Sequence, residues 1–586
     1  MSSRWSDATL AAARLEGDPE ADALVEHMLA GPPHAGHVGR GGYNHVLDLA
    51  SMLVLYPELS LVRSSLLRSQ LDAAGEISQF FDPVAAPAWV DAKKVALAGE
   101  LWQTDAILAI AVLYASSLPS CYLMKKGVPA LYRTEKLAEQ KYVFQRIYET
   151  GLMLEAVMAP GGLKVVQDVE PSHDARIVAA LNAVDPTGQW GWASHRVQRQ
   201  AGAASVAPQL DAVHRTLAAS EQQATRYIWG EGFIAARKVR FLHAAMRLML
   251  MHPELMRRPA GQPPAEPPRS FSGEPPRSFM DEASRRSTAW SVEELGKPIN
   301  QEDLAFVLLT FGYLIPKGME TWGRKVPREQ KAAFLHLWRI VGFVMGIRED
   351  LMTDDLDEAE ALYQQILARN GGGSEPGQIL TTAVMDFVRS YLPARMGFNT
   401  FVPAALILDQ LGPDWARQIL SEDSYRATRR PFARLSHGSA KVAVRAYYWL
   451  RRRLLQYLPV VGPIVSDVTT KSTDTLIDSW RDSFRRKPFY VPANATTWVP
   501  DRSVTPEYEK QLMQWRQRLF DTLAGGLASV VVSGFAAAAA VVFFLMEMRV
   551  ERNVSAIVAV IALALGLTLM NVTIPALARE RPKLES

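Results

Sequence analysis

The sequence predicts an all-α protein that ends in a pair of long apolar segments. Three observations support this fold class. Long stretches repeat apolar residues at helical spacing, no stretch alternates strictly as a half-buried strand does, and two uncharged runs are each long enough to cross a bilayer. With 586 residues, 48% of them hydrophobic and 21% charged, the chain has the composition of a globular protein with an additional apolar part.

Five stretches read as helices in the main body. Asn300 can cap one of them, with Asp303 as its partner in the first turn, and Pro119 and Pro160 mark expected helix ends. The stretches are Ala96–Ser120, Thr134–Gly162, Ile299–Ile315, Glu329–Ile347 and Asp355–Asn370.

Composition shifts divide the chain into four parts. Within the second part, residues 163–229 form an insertion and residues 257–291 a Pro-rich loop that repeats "EPPRSF". This loop is predicted to be a linker, with a partner-binding polyproline segment as the alternative. The parts are an N-terminal helical region at 1–100, a central core at 101–420, a membrane-proximal helical region at 421–521, and an apolar hairpin at 522–578.

The two uncharged runs, Thr522–Met546 and Val554–Ala578, are predicted to form a transmembrane hairpin, since each is long enough to span about 30 Å of hydrocarbon. Basic residues flank the hairpin on both sides, which places the body of the protein in the cytoplasm. The alternative is a buried hairpin of a soluble protein. Upstream, Arg445–Val465 is typical of a helix at a membrane surface, although an ordinary packed helix fits equally well.

Several classes of protein are excluded or left without support by the composition. A net charge of +3 gives no argument for a nucleic-acid partner, and a single cysteine, Cys121, excludes a disulfide framework, a Cys-rich zinc site and covalent haem attachment. The N-terminus has no apolar signal-peptide core. The 11 histidines form no H-x-x-x-H pair, and neither a phosphate-binding glycine loop nor G-x-S-x-G occurs.

His243 is the leading candidate for a metal ligand. It lies in an apolar helix, with Val239 and Met246 at helical spacing and with Arg240 and Arg247 nearby. This pattern fits a haem: the imidazole would bind iron, the apolar residues would touch the porphyrin, and an arginine would pair with a propionate. A core histidine with one hydrogen bond is the alternative.

Five further stretches resemble the latex-clearing protein or rubber oxygenase family, whose catalytic domain also occurs in the membrane-bound oxygenase of mycophenolic acid biosynthesis. They are "SLPSCYLMKKGVPAL", "RIYETGLMLEAVMAPGGL", "KVRFLHAAMR", "GKPINQEDLAFVLLTFGYL" and "FLHLWRIVGFVMGIREDLM". The resemblance covers about Trp102 to Leu367. It implies a globin-like helical core that holds a non-covalent b-type haem through the proximal ligand His243.

The same resemblance implies that Arg146 and Thr150, on one helix face, act on the distal side as catalytic residues. Arg146 would stabilise bound dioxygen and Thr150 would donate a hydrogen bond to it; a surface ion pair between Arg146 and Glu149 is the alternative. Rubber-cleaving members have a lysine where Glu149 stands and a glutamate near Ala130, and neither is matched. The haem iron is therefore expected to be five-coordinate or water-bound. His336 is the rival axial ligand and is expected to be a core hydrogen-bonding residue instead.

The function implied is that of a membrane-anchored, haem-dependent oxygenase. Its partners would be the lipid bilayer, dioxygen and an apolar isoprenoid or alkenyl small molecule whose double bond is cleaved. Two alternatives stay open: a haem peroxidase or monooxygenase on the same scaffold, and a non-enzymatic haem-binding membrane protein.

Overall fold

The computed structural model describes residues 4–30, 79–81, 83–134, 140–159, 161–166, 226–252, 290–391, 398–457 and 548–569, with single positions between 507 and 580. Most of these residues are helical, which confirms the all-α class. The helices before the Pro-rich loop are α1 (Asp7–Ala13), α2 (Pro19–Ala30), α3 (Ala92–Val112), α4 (Leu118–Tyr122), α5 (Val128–Thr134), α6 (Gln140–Met158) and α7 (Glu231–Met251). Those after it are α8 (Val292–Leu295), α9 (Gln301–Gly312), α10 (Leu314–Thr321), α11 (Arg328–Val344), α12 (Leu356–Asn370), α13 (Glu375–Tyr391), α14 (Phe398–Leu411), α15 (Pro413–Ile419), α16 (Glu422–Thr428), α17 (Pro431–Tyr457) and α18 (Arg549–Thr568).

One large apolar core joins most of these helices, and Ala130, Leu250 and Trp290 form a small separate cluster beside α8. In the large core α3 packs against α11, α7 packs against both α2 and α6, and α9 packs against α11. The helix starts predicted at Asn300 and Asp355 are confirmed in their capping geometry. The Asn300 side chain accepts from the backbone N–H of Asp303 at 2.9 Å, and Asp355 accepts from Asp357 and Glu358.

A small antiparallel sheet is the first departure from the sequence prediction. Its strands, in the order β1-β3-β2, are β1 (Val84–Ala85), β2 (Lys164–Val166) and β3 (Tyr227–Trp229). Strands of two or three residues are too short to show alternation, so the pattern could not reveal them. Because β2 and β3 lie at the two ends of the predicted insertion and pair with each other, they hold these ends together. Most of the insertion and of the Pro-rich loop lies outside the described residues, and the division into four parts stays a prediction.

The helix that was expected to end at Pro119 is the second departure. A π-helical segment, Leu113–Ser117, follows α3, and α4 continues to Tyr122 with Pro119 in its first turn. Proline is tolerated there because its missing N–H falls where a new helical segment starts.

The C-terminal region gives mixed results for the predicted hairpin. Among the described residues, one helix is long and apolar enough to cross a membrane, Ala92–Tyr122, and 44% of its most apolar stretch is buried inside the protein. Most of the predicted span Thr522–Met546 and the last part of Val554–Ala578 lie outside the described residues. The indole N–H of Trp515 donates to the carbonyl of Leu577 at 2.7 Å, and Ser533 donates to Ala559 at 2.8 Å. These two contacts pair the runs in antiparallel order, and both the hairpin and its insertion into a membrane stay predictions.

Candidate functional site: an apolar cavity beside His243

A cavity of about 270 Å³ lies among α4, α5, α6, α7, α9, α11 and α13. Most of its wall is apolar, from side chains such as Leu118 on α4, Met153 on α6 and Phe311 on α9. Each of these helices turns one apolar stripe toward the cavity, as amphipathic helices do around a core. A space of this kind suits an apolar ligand.

Four residues of α7 form one side of the cavity: Val239, Leu242, His243 and Met246. Their spacing of i, i+3, i+4 and i+7 is the spacing of a single helical face. The His243 side chain is half-buried, and it is the one histidine in the described cavity wall. The three predicted contacts Val239, His243 and Met246 therefore lie together at the cavity, whereas the role of His243 as an iron ligand stays a prediction.

The two arginines predicted to pair with a propionate are placed elsewhere. Each follows a cavity residue by one position, and one step along a helix rotates a side chain by about 100°. The Arg240 guanidinium binds both carboxylate oxygens of Asp18, at 2.5 and 2.7 Å. Arg247 forms an ion pair with Asp22 and donates to the backbone carbonyl of Pro298 at 3.0 Å. Neither arginine lines the cavity. Both instead hold α7 against the first part of α2 and the residue before it, Asp18.

The predicted distal residues have different outcomes. Thr150, on α6, is half-buried and lines the same cavity as His243, so the structure brings these two predicted residues together. Arg146 also lies in α6, but its side chain falls outside the described part of the structure, as does that of Glu149.

His336, the rival ligand, has both ring nitrogens engaged in the core. Its Nε2 accepts a hydrogen bond from the backbone N–H of Asp91 at 2.9 Å, which leaves Nδ1 as the protonated nitrogen facing Asp354 Oδ1 at 3.1 Å. The ring is fully buried and lies outside the cavity wall. These contacts fit the expected core hydrogen-bonding role of His336.

Two polar groups in the wall escaped the sequence reasoning, Asp303 and Cys121. Asp303 accepts from Arg14 at 2.7 Å and from the Asn300 amide at 2.8 Å. Burial is the largest influence on its carboxyl and raises its pKa above the ordinary value, outweighing the opposing effect of Arg14. Burial also raises the pKa of Cys121 to about 12. In the sequence, Asp303 is explained by its place in the cap of Asn300. No other feature of the sequence indicated that Asp303 lines the cavity.

The cavity also meets the requirements of a haem in residue type. A haem iron can be held by a single imidazole in an apolar wall, whereas a structural zinc ion needs four protein ligands. Trp338 lines the cavity, stacks on Phe311 at 4.6 Å, and has a buried indole N–H without a hydrogen-bond partner in the described part of the chain. A ligand carrying an acceptor would satisfy that donor.

Comparison with known proteins supports the family predicted from the sequence. Residues 179–441 match the family described as ER-bound oxygenase mpaB/B′/Rubber oxygenase, catalytic domain. The match includes His243 and His336 but begins after Arg146 and Thr150, so it does not extend to the two predicted distal residues.

One curated protein and one solved structure are also similar to this chain. A rubber oxygenase of Streptomyces sp. (strain K30) is 26% identical over 105 residues, which are 18% of this chain and 26% of that protein. The chain thus spans about a quarter of the length of the curated relative that it matches. A solved structure of latex clearing protein LCP in the closed state aligns with a TM-score of 0.42 and 16% identity, over 74% of this chain and 83% of that one.

Proposed function

We propose that this protein is a membrane-anchored, b-type haem-dependent oxygenase of an apolar alkene. The premise of this proposal is that residues 179–441 carry a catalytic domain of the rubber oxygenase family. The observation that carries the proposal is the position of His243 in the wall of an apolar cavity, on the same helix face as Val239, Leu242 and Met246. The resemblance predicted the histidine, and the cavity places it in the apolar surroundings that a haem and an apolar substrate need.

His243 would hold the haem iron through its imidazole, and Val239 and Met246 would pack on the porphyrin. A haem bound there would supply the iron-dependent chemistry of dioxygen. The apolar wall excludes water and binds the hydrocarbon part of the substrate, as apolar side chains do in most small-molecule sites. The isoprenoid or alkenyl class of substrate follows from the family and from this wall.

Thr150 would act as a hydrogen-bond donor inside the cavity, and Arg146, one helical turn earlier, would add a positive charge on the same face. Charge placed in a dry, apolar site acts more strongly than in water, so one guanidinium suffices to stabilise developing negative charge. Asp303, whose pKa is raised by burial, would add a polar group to the same wall.

The membrane anchor would be the helical hairpin at 522–578, with the catalytic body on the cytoplasmic side. Large apolar side chains of α18 are exposed, among them Val560 at 68% and Ile561 at 61%. Exposed apolar area of this extent favours contact with lipid over contact with water.

The test is the absorption spectrum of the purified, detergent-solubilised protein with a pyridine haemochrome assay. His243→Ala should abolish the Soret band of a b-type haem. His252→Ala is the matched control, since His252 directly follows the same helix and is exposed. Incorporation of isotopically labelled dioxygen into an alkenyl product would identify the oxygenase, and product formation with peroxide alone would identify a peroxidase.

Two results would overturn the proposal. Absence of haem after expression with haem supplied would leave His243 as a core residue. Normal haem in the His243→Ala variant would place the iron on another ligand.

A further inference from the structure

The long helix α17 carries an exposed apolar stripe on its outer side. The stripe consists of Leu435, Val442 and Trp449, with exposed fractions of 72%, 62% and 61%. These residues are seven positions apart, which is close to two helical turns, so they follow one line along the helix. Three large apolar side chains in a row on the surface mark an interaction site more often than isolated ones do.

The inner side of α17 is fixed to the body of the protein, so the exposure of the stripe is not that of a detached helix. Arg451 is 8% exposed and pairs with the buried carboxylate of Asp105 on α3. His437 and Lys441 contact the two carboxylate oxygens of Asp409 on α14, at 2.7 and 2.9 Å. The orientation of the helix about its own axis is thereby set, and the stripe faces outward.

The charge of α17 is entirely basic. Pro431–Tyr457 contains arginines and a lysine but no aspartate or glutamate. Arg434, Arg445 and Arg452 are exposed and lie along the same flank of the stripe, since each is rotated by about 60–100° in one direction from the nearest stripe residue. An apolar row beside a basic row is the pattern of a helix that lies in a membrane interface.

We propose that this stripe of α17 docks on an anionic membrane surface. Leu435, Val442 and Trp449 would enter the boundary between head groups and acyl chains, and the flanking arginines would face lipid phosphates. Tryptophan is favoured at this depth because its ring is apolar and its N–H is polar. The inference rests on the proposed membrane association but is independent of the haem.

A second copy of the chain is a poorer occupant. Pairing two such stripes would bring rows of arginines together with no acidic residue on the helix to neutralise them. An anionic bilayer supplies the opposite charge along the whole helix, and each basic residue near it strengthens binding by about fivefold.

The test uses the full chain in vesicles of phosphatidylcholine, with or without phosphatidylserine. Val442→Cys would carry an environment-sensitive fluorophore, since the native Cys121 is buried. Nitroxide-labelled lipids then report contact with the bilayer by quenching. Leu15→Cys, at an apolar position with 54% exposure in the N-terminal region, serves as the matched control, and Val560→Cys reports on the hairpin.

The expected result is lipid quenching at position 442 in vesicles with phosphatidylserine, weak quenching without it, and none at position 15. The double variant Arg434→Gln/Arg452→Gln should lower the ratio of docked to undocked helix by about 30-fold, and high salt should act in the same direction. Arg328→Gln/Arg426→Gln, which removes the same charge from exposed arginines of α11 and α16, should leave quenching unchanged.

Quenching at position 560 without quenching at 442 would refute the docking of α17 and leave the membrane anchor standing. No quenching at either position would refute both. Equal quenching at 442 with and without phosphatidylserine would overturn the role assigned to the arginines.

Discussion

Gly232 allows α7 to approach α6 closely, and its replacement by alanine is the sharpest structural prediction. A Cβ at Gly232 would lie 2.8 Å from the carbonyl oxygen of Ala156 and 2.9 Å from the Cα of Val157. Both are backbone atoms of α6, which cannot turn away as the end of a side chain does. The Gly232 N–H also donates to the Gly162 carbonyl at 2.6 Å, so α7 is held on this side as well.

Gly232→Ala should therefore lower the free energy of unfolding by about 1–3 kcal/mol, the usual cost of forcing extra volume into a packed contact. Gly99→Ala is the matched control, because Gly99 lies inside α3 and a Cβ there meets nothing within 4 Å. That substitution should raise the free energy of unfolding by about 0.5–1 kcal/mol, since alanine loses less backbone entropy in a helix.

The assay is denaturant unfolding of both variants in the same detergent, with the Soret band recorded before unfolding. Because Gly232 positions the helix of His243 against the helix of Thr150, the proposed function predicts that the variant also binds haem more weakly. A Gly232→Ala protein as stable as the Gly99→Ala protein would refute the steric argument.

Two further predictions concern single titratable groups. Burial raises the pKa of the Cys121 thiol to about 12, and the thiolate is the species that reacts with iodoacetamide. Cys121 should therefore resist iodoacetamide at pH 8 in the native protein and react once the chain is unfolded. Rapid labelling of the native protein would contradict this prediction. For Asp354, burial opposes ionisation, but His336 and Arg339 outweigh it and hold the pKa of the carboxyl below its ordinary value. Its stabilisation is therefore present above the pKa of the unfolded chain and is lost as pH falls through the lower folded value. Asp354→Asn should lower the free energy of unfolding by about 1–3 kcal/mol at pH 7, and this difference from wild type should become smaller in acid. The control Asp357→Asn, at an exposed position, should change the free energy of unfolding little. A difference for Asp354→Asn that stays the same at low pH would contradict the lowered pKa of Asp354.

The sequence predicted those parts of the fold that depend on near neighbours. The cap at Asn300 and the cavity face of α7 are set by spacings of three and four residues, and both are found in the structure. Strands of two or three residues carry no period, and the π-helical segment before Pro119 has no spacing signature, so neither was predicted.

The partners of Arg240 and Arg247 show a second limit. Asp18 and Asp22 lie more than 200 positions earlier in the chain, and nothing local to α7 indicates that two arginines beside an apolar face turn toward them. The sequence therefore assigned both guanidinium groups to a cofactor. Long-range ion pairs of this kind decide which side of a helix faces a cavity and are read only from the folded chain.

The π-helical segment Leu113–Ser117 also determines how the cavity wall is encoded. A π turn contains one more residue than the α turn it replaces, so Leu118, Cys121 and Tyr122 reach the cavity only because of that surplus residue. Removing one residue from the segment would rotate everything after it by about 100° and turn a different set of side chains inward. Which side chains form this wall thus depends on the number of residues in the segment as well as on their types. A chain shortened by one residue here would present a different binding surface, although no residue of the wall had been substituted.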